Sequence, residues 1–141
     1  SLDILRAVAM GADMCNNARG FMFSLGCIQA LRCNSNNCPT GVATQDKDRQ
    51  KAIDVPSKAE RVFNFHKNTL HALSEMIAAA GLHHPSDIKA HHLAQRMNDR
   101  EIKNYAQIHF FLKENELLQA DLNDDENFYY RMWKLANAKS F

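Results

Sequence analysis

The chain has 141 residues, enough for one domain or a piece of a larger one and too few for a complete (β/α)8 barrel, which takes about 250. Hydrophobic residues make up 45% and charged residues 23%, a globular composition that excludes a disordered or fibrous chain. Lys and Arg number 17 against 16 Asp and Glu, a formal net charge of +1, so no electrostatic case exists for a nucleic-acid surface or a polyanionic partner. No stretch approaches the roughly 18 consecutive apolar residues of a membrane span, and no basic start, apolar run and small-residue cleavage site follow one another at the N-terminus. A soluble and, by default, cytoplasmic chain is expected. It begins at Ser1, inside a helical pattern and without an initiator methionine, so a fragment or processed product is expected, with a membrane anchor upstream left open.

Leu2, Leu5 and Val8 or Ala9 recur at helical spacing and Gly11 stands just past them, which predicts a helix over 2–10. Residues 12–15 form a short apolar run compatible with a buried strand. Asn16 and Asn17 then offer cap chemistry for a helix over 18–31. Phe21, Met22, Phe23, Leu25, Ile28 and Leu31 make that helix apolar nearly all round, so deep burial is expected. From Arg32 to about Pro56 the periodicity gives way to turn formers and the charged run 46–51. So long an irregular stretch is uncommon unless it has a job, such as holding a cofactor. Ser57 and Glu60 have capping-box spacing. They predict a helix whose stripe runs through Val62, His66, Thr69 or Leu70, Leu73, Met76 or Ile77 and Ala80 to Gly81. Pro85, Ser86 and Asp87 predict a short helix through Ala90, and Asn98 with Glu101 another through Tyr105, Ile108 and Phe111. Asp124, Asp125 and Glu126 predict a helix start ahead of Phe128, Met132 and Leu135. The expected fold is mostly α.

Cys27, Cys33 and Cys38, followed by Pro39, read C-x5-C-x4-C. The first closes an apolar helix and the others lie in an Asn-rich loop, an arrangement that suits a cluster held against a buried surface with loop N–H groups free to bond its sulfurs. Zinc sites more often show close pairs such as C-x2-C and need a fourth ligand, which is not evident. Four-iron clusters use four thiolates, so three cysteines suit a [3Fe-4S] cluster better. On spacing alone, iron–sulfur, zinc and unligated cysteines all stay open, and a disulfide would require a secreted chain. Cys15 reads as a small buried apolar residue.

The segment GADMCNNARG is a second candidate. A strand that turns into a helix over Asn16, Asn17 and Ala18 presents free N–H groups and a helix dipole to a phosphate, and Arg19 adds a guanidinium. An ordinary capped helix with a surface arginine accounts for it equally well. There is no GxGxxG or P-loop. Adjacent histidines point in different directions on a helix, so His83, His84, His91 and His92 are read as solvated surface and His66 as a core histidine. The acidic run 121–126 lacks the order of an EF-hand. Trp133, Phe128 and Tyr129 read as core or a docking face. No nucleophilic triad or acid/base carboxylate pair is recognisable, and the catalytic residues stay unassigned.

Taken together, GADMCNNARGFMFSLGCIQALRCNSNNCPTGVATQ resembles the end of the synthase domain of glutamate synthase, in particular that of the shorter FMN-binding glutamate synthase family proteins. The likeness is specific over 11–45, where G-C-I, the cysteine spacing and C-P-x-G-V-A-T-Q coincide, and looser beyond. The resemblance implies that the chain is the C-terminal fragment of an FMN-binding (β/α)8 TIM-type barrel followed by a helical tail. Residues 1–56 would be the end of the barrel with its iron–sulfur loop, and 57–141 the C-terminal helical region. It implies a [3Fe-4S] cluster on Cys27, Cys33 and Cys38 beside the flavin, and residues 12–15 as the eighth strand. Asn16, Asn17, Ala18 and Arg19 would hold the FMN phosphate, near the usual barrel site. In the large glutamate synthases this turn is Gly-x-Gly-Thr; the change keeps backbone donors and replaces a hydroxyl with a cation.

The implied parent is an oxidoreductase of the CH-NH2 class. It passes electrons from a donor, ferredoxin or an NAD(P)H-linked reductase, through the cluster and FMN to 2-iminoglutarate, formed from 2-oxoglutarate and ammonia, and so makes L-glutamate. The fragment alone is expected to be inactive. The competing reading is a metal-stapled helical module that binds a protein partner and does no chemistry.

Overall fold

Three glycines stop three helices in the same way. In the structure, a computed structural model that describes residues 1–119 and 126–139, helix α1 (Leu2–Ala9), α2 (Ala18–Leu25) and α4 (Val55–Ala79) end just before Gly11, Gly26 and Gly81, whose φ values are +102°, +111° and +72°. Each glycine donates its N–H three residues back, and the next residue donates five back: Gly11 to Val8 and Ala12 to Ala7, Gly26 to Phe23 and Cys27 to Met22, Gly81 to Ala78 and Leu82 to Ile77. A left-handed residue is what lets this pair of bonds close the last carbonyls, and glycine adopts it without a Cβ penalty.

Between these helices lie a four-residue helix α3 (Lys47–Gln50), and after α4 two 3-10 turns, Pro85–Asp87 and Ala90–His92. A hairpin of β1 (Ala94–Arg96) and β2 (Ile102–Asn104) follows, then single turns α5 (Tyr105–Ile108) and α6 (Glu116–Gln119) and helix α7 (Phe128–Leu135). The hairpin is antiparallel, with Ala94 opposite Asn104, Gln95 opposite Lys103 and Arg96 opposite Ile102. The chain forms two units, Ser1–Tyr105 and the residues from Ala106 on. The described residues are mostly helical with one small sheet, and no described helix is long and apolar enough to cross a membrane.

In the first unit Leu5 and Ala9 of α1 meet Leu73 and Ile77 of α4 and Ile88, with Ile4, Val8, Met76, Leu82 and Leu93 packed around them. The spacing of 4 on both helices puts these side chains on one face, so the two stripes zip together. Helix α2 lies along the earlier half of α4, where Phe21 meets the edge of Phe65 at 5.2 Å between ring centroids. Gly20 makes that approach possible: a Cβ there would stand 2.7 Å from Phe65 and from the Asn17 side chain. In the second unit Phe110 stacks on Tyr129 at 5.8 Å and the Tyr130 hydroxyl donates to the Glu116 carboxylate.

Several expectations are corrected. Residues 12–15 form no strand, and Met14 is 87% exposed; a strand exists only through a neighbouring strand, and the hairpin is the one sheet among the described residues. Cys15 is exposed as well. Helix α2 stops at Gly26, six residues before the predicted helix would pass Leu31, and Ile28 and Leu31 are 65% and 87% exposed. Its burial is partial, because α4 covers one face only.

Helix α4 starts earlier than its capping-box reading: Asp54 is the cap, accepting the Ser57 N–H at 3.1 Å, with Pro56 in the first turn. His66 is exposed and touches Phe21 at 5.7 Å between rings. The predicted 86–90 helix is two 3-10 turns. In place of a helix from Asn98, Asn98 and Glu101 turn the hairpin: Asn98 Oδ1 accepts the Arg100 N–H and the Met97 N–H bonds the Glu101 carbonyl. Asn98 caps a turn here, and the same short side chain serves either end. Asp124 and Asp125 lie outside the described residues; α7 is capped by Asn127, whose side chain accepts the Tyr129 N–H. Phe128, Tyr129 and Trp133 are exposed. His83, His84 and His91 are exposed as expected, whereas His92 is half-buried and its Nδ1 accepts the Lys89 N–H at 2.9 Å.

Candidate functional site: the two ends of helix α2

Helix α2 has the turn residues at one end and the first cysteine at the other, about 12 Å apart at 1.5 Å rise per residue. At its start Asn17 is the cap, and its Oδ1 accepts the Gly20 N–H at 3.0 Å. The N–H groups of Ala18 and Arg19 have no acceptor within the helix, as in any first turn. Asn16 and Arg19 are exposed, and Arg19 makes no ion pair among the described residues. Asn17 also borders a cleft of about 260 Å³, whose walls include Cys15, Phe21, Phe65 and His66. Donors and a positive dipole therefore face solvent at this turn, with a cation beside them.

At the other end, Gly26 turns the chain out of α2 so that Cys27 leaves the helix at once. The loop that follows is strained: Gln29, Leu31 and Asn36 have φ of +56°, +54° and +62°, three of the four non-glycine residues with positive φ among the described residues. Asn tolerates that region, whereas Gln and Leu do so at a cost of order 1–3 kcal/mol, and such strain gathers at functional loops.

Cys27, Cys33 and Cys38 line one small pocket. All three are free thiols; Cys38 is buried, Cys27 half-buried and Cys33 exposed. The Gln29 N–H lies 3.5 Å from the Cys27 sulfur and the Thr40 hydroxyl 3.5 Å from the Cys38 sulfur. The Cys38 thiol is lowered from 9.0 to about 7, first by the Thr40 hydroxyl, then by the N–H groups of Ala43, Thr40 and Val42, against the opposing effect of burial. Hydrogen bonds to the charged form stabilise a thiolate, the form that ligates metals. Among the described residues no three His, Cys, Asp or Glu side chains converge on a single ion.

The fold of residues 38–50 sets up those donors. Cys38 to Gly41 is a tight turn, the Gly41 N–H bonding the Cys38 carbonyl, with Pro39 and Thr40 at its centre. Gly41, at φ +75°, sits so close to α3 that a Cβ would fall 2.2 Å from the Arg49 carbonyl oxygen. Asp46 caps α3, accepting the Asp48 and Arg49 N–H groups, which hold its carboxyl below the usual range.

Sequence reasoning picked out the three cysteines and the turn at Asn16, Asn17, Ala18 and Arg19. It missed Thr40, Val42 and Ala43 as donors to Cys38, although the P-T-G run was a signal for a tight turn that exposes N–H groups.

A sequence model described as "Conserved region in glutamate synthase" matches residues 1–83. The glutamate synthase large subunit-like protein YerD of Bacillus subtilis is 46% identical over 98 residues, which cover 70% of this chain and 19% of that protein. An archaeal glutamate synthase (NADPH) of Methanocaldococcus jannaschii is 31% identical over 106 residues, 73% of this chain and 21% of the relative. The large chain of glutamate synthase (NADPH) from Azospirillum brasilense is 33% identical over 101 residues, 64% of this chain and 7% of the relative. The chain thus spans about a fifth or less of the length of these relatives. No solved structure matches it. The matched region takes in both ends of α2 and the whole cysteine loop, and the chain belongs to the glutamate synthase family.

Proposed function

We propose that this chain supplies the iron–sulfur loop and the flavin-phosphate turn of a glutamate synthase-type oxidoreductase, which forms L-glutamate from 2-oxoglutarate and ammonia or glutamine. The observation that carries the reading is the shared pocket of Cys27, Cys33 and Cys38, with the Cys38 thiolate stabilised by a hydroxyl and loop N–H groups. These residues fit a [3Fe-4S] cluster: each iron takes its own thiolate, so sulfurs set around a pocket suit it, whereas a single zinc ion needs donors that converge. That difference favours the cluster over the metal-stapled module. At the opposite end of α2, Asn16, Asn17, Ala18 and Arg19 fit the FMN phosphate through first-turn N–H groups and one guanidinium.

When bound, the two groups supply electron transfer and hydride delivery. The chain's residues hold them at opposite ends of one rigid helix and tune them. Hydrogen bonds from Thr40, Val42 and Ala43 lower the electron density on the Cys38 sulfur, which favours the reduced cluster. In this reading the whole protein contains a (β/α)8 barrel. Residues 1–56 end that barrel, 57–141 form a helical tail, and electrons arrive from ferredoxin or an NAD(P)H-linked reductase.

Iron and acid-labile sulfide analysis of anaerobically prepared full-length protein tests the assignment. Iron and sulfide at about 3:4, lost in Cys33→Ser together with the cluster's part of the visible absorbance while the flavin's remains, is the expected result. Zinc, or no metal at all, would overturn it.

A further inference from the structure

We propose that Asn36 is a positioning residue for the cysteine loop, closing it with Thr44 and Gln45 into a clasp that holds Cys38 and the groups that bond its sulfur in place. The inference rests on the iron–sulfur reading of the loop cysteines. Asn36 lies between Cys33 and Cys38, in the left-handed region at φ +62°, which Asn tolerates better than other side chains. Its Oδ1 accepts the Gln45 N–H at 2.6 Å and lies 3.0 Å from the Thr44 hydroxyl, which is 2.7 Å from the Asn36 carbonyl oxygen. Thr44 is itself anchored: its hydroxyl oxygen accepts the Asp46 N–H at 3.1 Å, and its carbonyl accepts the Gln50 side-chain amide at 2.8 Å.

The consequence is geometric. The clasp joins residues 36 and 44, so Cys38 and its donors Thr40, Val42 and Ala43 lie inside a closed ring, anchored through Thr44 to the cap of α3. On the Cys33 side the backbone bonds are longer, with the Asn36 N–H 3.4 Å from the Cys33 carbonyl and the Asn37 N–H 3.3 Å from the Arg32 carbonyl, and the Ser35 hydroxyl donates to the Arg32 carbonyl at 3.0 Å. No helix or strand covers residues 27–46. The side-chain oxygen and the carbonyl of Asn36 together do for this loop what a ladder does for a sheet, and Cys38 inherits its placement from them.

Four variants of the full-length protein test the clasp: Asn36→Gly, Asn36→Ala, Asn36→Asp and Thr44→Val. Glycine keeps the left-handed backbone and the Thr44 bond to the residue-36 carbonyl and removes the two side-chain bonds, while aspartate keeps an acceptor oxygen. The expected result for Asn36→Gly is a changed electron paramagnetic resonance line shape of the oxidised cluster and at least a several-fold faster loss of iron on gel filtration. Flavin content should stay at the parent level, and Asn36→Asp should recover the parent spectrum. In chelator-treated protein, Gln45 amide exchange should quicken about tenfold in Asn36→Gly, Asn36→Ala and Thr44→Val. A parent-like spectrum and iron retention in Asn36→Gly would overturn the proposal. Should the parent itself contain no iron, the cluster reading fails separately, and unchanged Gln45 exchange in Asn36→Gly then overturns the clasp.

Discussion

Among the described residues Cys38 carries the largest shift from its ordinary titration range. Its thiol sits at about 7, below the ordinary 9.0, because Thr40 and three loop N–H groups prefer the thiolate. In metal-free protein, alkylation of Cys38 followed by peptide mapping is expected to show a midpoint near pH 7, and Thr40→Val should move it upward. The same shift has a stability sign. The folded form binds fewer protons than the unfolded one, so the stabilisation is complete above about pH 9 and is lost as pH falls through about 7. Gly41 governs the geometry behind this. At φ +75° and with the Arg49 carbonyl 2.2 Å from any Cβ, Gly41→Ala is expected to cost about 2 kcal/mol or more and to quicken amide exchange across residues 38–50. The cysteines were legible because thiols at fixed spacing advertise themselves. Thr40, Val42 and Ala43 were not, since their contribution is a direction of backbone N–H groups that spacing does not encode.

At the scale of elements, caps decide more than propensity. Asn17 holds the start of α2 and Asp54 that of α4. Asn17→Ala and Asp54→Ala are each expected to lower stability by about 1 kcal/mol in urea titrations, with Asn17→Ala also loosening the turn proposed for the phosphate. In the shared core, Leu73→Ala should cost about 2 kcal/mol, the low end for such truncations, because Leu73 keeps 8% of its surface exposed and its site can partly collapse. Local signals located the glycine stops at Gly11 and Gly81 and the stripe through Leu73 and Ile77. They failed over 98–111, where Asn98 and Glu101 suit a hairpin turn as well as a helix cap, and over 27–31, where apolar residues continue past a glycine that had already ended the helix.

At the scale of the whole molecule, several large apolar side chains of the first unit stand in solvent. Met14, Ile28 and Leu31 stand in solvent around the two ends of α2, and the cleft of about 260 Å³ beside Asn17 is open. The 141-residue chain is expected to bind a hydrophobic dye such as ANS; absence of dye binding would show these side chains to be covered in solution. The sequence by itself determined the family, the helical character, the two helix stops at Gly11 and Gly81, and the cysteine spacing, because each depends on residues close together in the chain. Only the tertiary structure decided that residues 12–15 are unpaired, that α2 is covered on one face, that His66 is exposed, and that Asn36 meets Thr44 and Gln45. Strand pairing, burial and loop closure are contacts between distant residues, and no local pattern specifies which partner will be there.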